Sequence, residues 1–201
     1  AEELGINIPT GKDSLSMKQK YENESVLAPG TVIISVVGHC SNINQIVTPE
    51  IKGKTGKLFY VDFSLDNNHL GGTAFAQIQN KIGKNVSTVK NSKYFKISFN
   101  AVQKAIKNQI ISAGHDISSG GFLTTLIEMF FPTPNSGAEI NIPSEGDINS
   151  DLFFEKPGII IQSDYDLESL FKSQKVKCFK LGDVNSSGYL TLNHKDVKMD
   201  L

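Results

Sequence analysis

Apolar residues along this chain fall into short blocks with two different rhythms. Residues 31–37 (TVIISVV) form an unbroken β-branched run, the pattern of a strand buried on both faces. Residues 57–63 give a second strand, and residues 138–142, 158–162, 179–181 and 189–193 give further short ones. The other rhythm is helical. Phe99, Val102, Ile106 and Ile110 recur at three- and four-residue spacings, predicting an amphipathic helix of about three turns. Phe122, Leu126, Met129 and Phe130 define one face of a helix opened by Gly120-Gly121 and ended near Pro132. A helix over 72–81 starts directly after another Gly-Gly pair, and one over 164–174 has Asp164 or Asp166 near its cap. Residues 1–4 read as a last helical turn with Gly5 as its left-handed cap. Residues 10–16 and 115–119 are polar and without period, so they read as loops. Interleaved strands and helices predict an α+β fold, a mixed β-sheet packed with helices.

A connector rich in Asn, Pro and Gly runs over residues 42–55, and a boundary is placed inside it near Thr48-Pro49. The part before it holds about one strand and a cap, too little for a core, so residues 1–48 read as the tail of a preceding domain and 49–201 as a domain of their own. Ala1-Glu2-Glu3-Leu4-Gly5 reads as neither a signal peptide nor a natural start, so the chain is expected to begin inside something longer.

Composition narrows the chemistry. The chain has 201 residues and a formal net charge of −1, and all 20 of its basic residues are lysine. With no basic excess, no nucleic acid partner is expected. Without arginine, no bidentate guanidinium fork can come from this chain, so an anion must be held by Lys, a metal ion, hydroxyls or backbone N–H groups. The apolar stretches are about half a membrane span, so no membrane partner is expected and the chain reads as cytoplasmic. Cys40 and Cys178 lie far apart and read as two buried, reduced thiols.

Three segments carry candidate chemistry. Gly11-Lys12-Asp13-Ser14-Leu15-Ser16 combines a flexible glycine, an ammonium, a carboxylate and hydroxyls, suited to phosphate and cation binding. It lacks Walker spacing, and on chemistry alone a solvated turn accounts for it better. His115-Asp116-Ile117-Ser118-Ser119-Gly120-Gly121 sets a carboxylate and two hydroxyls before a helix whose glycines would leave N–H groups open to a phosphate, with Asp116 as a Mg²⁺ ligand. A serine N-cap with Asp116 merely complementing the helix dipole explains it equally well. Asp66-Asn67-Asn68-His69-Leu70-Gly71-Gly72-Thr73 reads best as a tight strand-to-helix turn with close packing. A His39-Cys40 dyad is disfavoured because neighbours on a strand point to opposite faces. His69 and His194 read as surface or turn residues, and the lysines between 172 and 180 as a solvated side.

The order of three motifs is more specific than any one of them. Ile8-Pro9-Thr10-Gly11-Lys12-Asp13-Ser14-Leu15-Ser16-Met17, Leu70-Gly71-Gly72-Thr73-Ala74-Phe75-Ala76-Gln77 and His115-Asp116-Ile117-Ser118-Ser119-Gly120-Gly121-Phe122, followed by Glu128-Met129, strongly resemble the family of large single-chain phosphoribosylformylglycinamidine synthases. Val47-Thr48-Pro49-Glu50 and Leu152-Phe153-Phe154-Glu155 fit the same pattern. The resemblance implies an aminoimidazole-ribonucleotide-synthetase (AIR-synthetase) C-terminal-like domain over 49–201, preceded over 1–48 by the tail of an N-terminal-like ATP-binding domain. It implies an ATP- and glutamine-dependent ligase of purine biosynthesis. Formylglycinamide ribonucleotide is phosphorylated on its formyl-amide oxygen, and ammonia released from glutamine then displaces the phosphate.

By motif, Gly11, Lys12 and Asp13 would bind ATP/ADP, with Lys12 and Ser14 at the catalytic cleft and Ser14 on the substrate ribonucleotide. Asp116 would be a Mg²⁺ ligand and Ser118 a nucleotide contact. The implied partners are the first AIR-synthetase-like half and the glutaminase domain of the full-length enzyme, without which the isolated chain would be inactive. Alternatives are a non-catalytic structural nucleotide-binding half with an auxiliary ADP/Mg²⁺ site, or another superfamily member of the selenophosphate or thiamine-phosphate kinase type. Three departures bear on the nucleotide site: Ser119 stands where the family usually has Asp, Lys156-Pro157-Gly158 where it has Glu-Leu-Gly, and arginine is missing throughout.

Overall fold

The computed structural model describes residues 1–12, 17–28, 30, 32–144, 146–195 and 197–201, and the chain divides into two compact units, Ala1–Ile43 and Asn44–Leu201.

In the first unit, Gly5 has φ +74°, the Gly5 N–H donates to Glu2 O at 3.0 Å and the Ile6 N–H to Ala1 O at 3.0 Å. This is the double hydrogen bond of a left-handed helix cap, as the sequence predicts. An antiparallel hairpin follows, β1 (Lys18–Lys20) and β2 (Ser25–Leu27), which has too short an apolar pattern to be read from sequence. The strand expected over 31–37 is not found: residues 32–37 carry no regular structure, and Val32 and Ile33 are 81% and 87% exposed. A strand exists only by pairing with a neighbour, and among the described residues of this unit the only ladder is the β1–β2 hairpin.

The second unit is built on a seven-stranded sheet of order β4-β6-β3-β7-β5-β8-β9. Its strands are β3 (Lys57–Asp62), β4 (Ala113–Asp116), β5 (Gly137–Asn141), β6 (Gly158–Ser163), β7 (Cys178–Asn185), β8 (Leu190–His194) and β9 (Val197–Asp200). All neighbours are antiparallel except β5 and β8, so the sheet is mixed. The helices are α1 (Ala74–Ile78), α2 (Ser92–Lys107), α3 (Gly121–Phe130), α4 (Ile148–Phe153) and α5 (Leu167–Ser173).

Central β3 is buried on both faces and sorts the core by its pleat. Leu58 and Tyr60 join a cluster with Phe122, Leu126 and Met129 of α3, Leu152 of α4 and Phe154. Phe59 and Val61 join the other cluster, with Ala101, Val102 and Ala105 of α2 and Leu167 and Phe171 of α5. Tyr60 pairs in register with Ile160 on one side and Phe179 on the other, and its ring packs edge-on to Phe122 at 6.0 Å.

Some expectations shift. α2 starts at an Asn91 cap and runs 16 residues, and its buried positions are Ser98, Ala101, Val102 and Ala105, so Phe99 lies half exposed at 46%. Small residues face the sheet, which lets the helix sit close. α1 keeps only five residues. His194 is buried rather than at the surface, with Nε2 2.8 Å from Asp151 Oδ2. The two cysteines are free, but only Cys178 is shielded; Cys40 is exposed. Burial pushes the Cys178 thiol far up, helped by the nearby Glu168 and Asp166 carboxylates. Residues 48–55 are fastened to the sheet: the Gly114 N–H donates to Thr48 O, and the buried Gln162 amide accepts from Lys52 N and donates to the carbonyls of Lys52 and Thr55. No helix among the described residues is long and apolar enough to cross a membrane.

Candidate functional site

Edge strand β4 ends at Asp116, and the turn 117–120 leads into α3. The turn is pinned beneath by the Ile117 N–H to Gly158 O at 2.9 Å, while Ser118 and Ser119 stand exposed. The Asp116 side chain is 79% exposed, and its Oδ1 lies 3.4 Å from His115 Nδ1. On the other edge of that ring, His115 Nε2 is 3.2 Å from Glu128 Oε2, one helix face below. His115 therefore bridges a carboxylate on α3 to the carboxylate at the tip of β4.

The start of α3 differs from both expectations raised by its sequence. Its cap is Gly120, at φ +93°, with no side-chain cap, so neither serine caps the helix. Nor are the glycine N–H groups open. Gly121 donates to Ser118 O at 3.0 Å, and Gly120 donates to Glu155 Oε1 at 2.8 Å. The glycines serve packing: a Cβ on Gly121 would lie 2.5 Å from the carbonyl carbon of Phe153, and the residue has φ +76°.

The Gly71-Gly72 turn is likewise a packing device. Gly71 and Gly72 donate to Asn85 O and Ile82 O, and a Cβ on Gly71 would lie 2.2 Å from Asn85 O. Thr73 caps α1 by accepting from the Ala76 N–H at 3.2 Å. Upstream, Asp66 is buried. Burial pushes its carboxyl up, but the N–H groups of Thr88 and Asn67 and the Lys90 ammonium outweigh that and hold it below the usual range. Lys156 is also buried, donating to Asp66 O at 3.0 Å, 3.7 Å from Asp62 Oδ2 and 5.2 Å from the centre of the Phe154 ring. The departure at Lys156 is thus answered inside the core by Asp62 and the Asp66 carbonyl.

Glu155, which in the sequence belongs only to the Leu152-Phe153-Phe154-Glu155 segment, has a specific structural role. Oε1 accepts from the Ala74 N–H at 2.9 Å as well as from Gly120, so one oxygen joins the two glycine-rich turns. Two stretches that the sequence presents as separate candidates are therefore one assembly.

The predicted site residues divide as follows. Gly11 and Lys12 are exposed in irregular backbone of the first unit, and Asp13 and Ser14 lie outside the described residues. Asp116 and Ser118 share one exposed turn of the second unit. Among the described residues, no group of three or more His, Cys, Asp or Glu could hold a metal ion. One exposed carboxylate beside hydroxyls suits a hydrated Mg²⁺ shared with phosphate oxygens, which takes one or two carboxylates, and does not suit an all-protein cage.

Comparison with known proteins follows this geometry. Residues 63–195 match the family model described as AIR synthase related protein, C-terminal domain. The chain belongs to that family. Residues 1–39 match a second model, described as FGAR-AT PurM N-like domain. Human phosphoribosylformylglycinamidine synthase is 34% identical over 192 residues, covering 92% of this chain and 14% of the relative. The Dictyostelium discoideum enzyme of the same name is 41% identical over 177 residues, covering 80% of this chain and 13% of the relative. An Arabidopsis thaliana relative, described as a probable, chloroplastic/mitochondrial phosphoribosylformylglycinamidine synthase, is 40% identical over 163 residues, or 80% of this chain and 12% of the relative. The chain thus spans 12 to 14% of the length of these curated relatives. Among solved structures, T. maritima PurL complexed with FGAR matches with a TM-score of 0.61 at 12% identity, covering 79% of this chain and 29% of that one. T. maritima PurL complexed with ATP matches at 0.58 and 10% identity, covering 79% and 27%. At these identities the likeness establishes the AIR-synthase-related fold alone.

Proposed function

We propose that this chain is part of an ATP- and glutamine-dependent ligase that converts formylglycinamide ribonucleotide to formylglycinamidine ribonucleotide in purine biosynthesis. The observation that carries this is that Asp116, at the end of β4, and Ser118, in the turn that follows it, are both exposed at the start of α3, in a chain 34 to 41% identical to enzymes of that name. Residues 1–48 belong in this reading to the N-terminal-like ATP-binding domain, and 49–201 to the second C-terminal-like domain. A cytoplasmic location belongs to the same reading.

Each residue has a role that its chemistry allows. Gly11 lets backbone approach the nucleotide phosphates, and Lys12 neutralises them as a point charge. Asp13 takes part in binding the nucleotide, as a carboxylate able to hold a cation, and Ser14 holds the substrate ribonucleotide. At the 117–120 turn of the second unit, a nucleotide site of its own, Asp116 would hold Mg²⁺, which would screen the charge of that nucleotide's phosphates. Ser118 donates its hydroxyl to the same nucleotide. The glutaminase that releases ammonia and the first AIR-synthetase-like half are separate domains, so the chain by itself has the constellation only in part and does not turn over.

Calorimetry of this chain with Mg-ADP tests the nucleotide reading. Saturable binding is expected, weakened at least about tenfold by Asp116→Ala. Binding that ignores the substitution overturns the role of Asp116. Release of ADP dependent on formylglycinamide ribonucleotide by the chain alone would overturn the split site.

A second reading, an auxiliary nucleotide site that supports structure, is favoured by Ser119, which leaves Asp116 without the acidic neighbour usual in the family. Substituting Lys12 and Ser14 in the full-length enzyme separates the two. Loss of rate supports catalysis, and loss confined to thermal stability supports scaffolding.

A further inference from the structure

We infer that Glu155 is the positioning residue of the nucleotide turn: its Oε1 couples the 71–74 turn to the 117–120 turn and so fixes the loop that presents Asp116 and Ser118. The inference rests on the nucleotide reading above for its functional consequence, and on geometry alone for the coupling.

Three observations carry it. First, the same oxygen accepts from Ala74 N at 2.9 Å and from Gly120 N at 2.8 Å, and these donors open two helices more than forty residues apart in sequence. A carboxylate is the acceptor best suited to this place, because both N–H groups stand at helix starts where the partial charge is positive. Second, Gly120 has no side-chain cap to replace Glu155, so its N–H has no other local partner of that kind. The α1 start differs, since Thr73 there caps the N–H of Ala76 and leaves Ala74 to Glu155. Third, the backbone around Glu155 is itself fixed. Phe154 and Lys156 on either side are buried, Phe153 stacks on Phe75 of α1 at 4.6 Å, and the Phe153 carbonyl carbon is the atom that Gly121 packs against. The carboxylate is therefore delivered by a rigid segment rather than by a free loop.

Asp116 and Ser118 need such a support. Both are exposed, and the turn between β4 and α3 is held by the Ile117 bond to Gly158 beneath it, by the Gly121 bond to Ser118 across it, and at its ends by the Thr125 and Thr124 hydroxyls of α3, which donate to Asp116 O and Gly120 O. The other bonds tie the turn to β6 and to α3 itself, so if the Gly120 N–H is released the turn loses its tie, just beyond Ser118, to the Glu155 segment and through it to the 71–74 turn.

The test uses this 201-residue chain with Glu155→Ala and Glu155→Gln, read by amide hydrogen exchange and by Mg-ADP calorimetry. In Glu155→Ala the amides of Ala74 and Gly120 are expected to exchange together, at least about tenfold faster, while those of β3 and β6 are unchanged. In the same variant Mg-ADP binding is expected to weaken about tenfold or more, with Glu155→Gln, whose carbonyl still accepts both bonds, restoring most of both signals. Acceleration at only one of the two amides overturns the coupling. Wild-type binding that survives Glu155→Ala unchanged, with both amides accelerated, overturns the positioning role and leaves the nucleotide reading standing. No binding by the wild type, with both amides protected, overturns the nucleotide reading and the positioning role with it. Equal loss of protection throughout β3 and β6 shows general unfolding and overturns a local role for Glu155.

Discussion

Single residues decide how close the segments of the second unit approach. Gly121 is the sharpest case, because its Cβ would meet backbone, which cannot turn away as a side chain can. Gly121→Ala is expected to cost about 3 kcal/mol or more, from overlap with Phe153 and from a positive φ that alanine resists. In a chain of this size that lowers the melting temperature by roughly 6–12 °C, measurable by calorimetry. The residue type was legible in the sequence, but its reason was not: a glycine before a helix suits a phosphate as well as it suits a neighbouring backbone. Buried charges were also hidden. Asp151 accepts from Asn68 Nδ2 at 2.7 Å and from the Gly146 N–H at 3.1 Å, and faces His194 Nε2, gathering residues from three distant stretches. No local pattern announces a pair set 43 residues apart.

Elements with a strong period and enough length were legible; short or side-chain-poor ones were not. β3, β6 and α3 show continuous or amphipathic apolar patterns and form where expected. β4 has the sequence AGHD, with no apolar alternation, and becomes a strand because β6 offers Ile159 to Gln162 in register. α4 is six residues, less than two turns, and depends on its Asp147 cap.

The caps at α4 and α5 also govern acid behaviour. The Ser150 hydroxyl holds Asp147 below its ordinary value of 3.8, and the Ser169 hydroxyl does the same for Asp166. The Lys52 ammonium lowers Glu50 from 4.5 to about 2. A carboxyl depressed in the folded state takes up its proton first in the unfolded chain, so these groups stabilise the fold above the ordinary values and the effect is lost as pH falls. Thermal stability is expected to be flat from neutral pH down to 4.5 and to drop between 4.5 and about 2. Asp147→Asn with Asp166→Asn keeps the capping oxygens but not the charges. It should leave the melting temperature at pH 7 nearly unchanged and make the acid drop shallower; an unchanged drop would assign it to other carboxyls.

At the scale of the whole molecule, the sheet and its two cores lie within the second unit. A chain of residues 44–201 is therefore expected to unfold cooperatively with a melting temperature within a few degrees of the 201-residue chain, by circular dichroism; a broad, non-cooperative transition would show that the first unit is needed.

The sequence by itself determined the mixed α+β class, the family, the central strand and the helix that faces it, because these rest on apolar periodicity and on motifs contiguous in the chain. It could not determine that residues 32–37 lack a ladder, since a strand is defined by its partner and not by its own residues. Only the tertiary structure joined the two glycine-rich turns through Glu155, because a hydrogen bond between residues 81 positions apart, Ala74 and Glu155, follows from how the helices pack on the sheet and leaves no pattern along the chain.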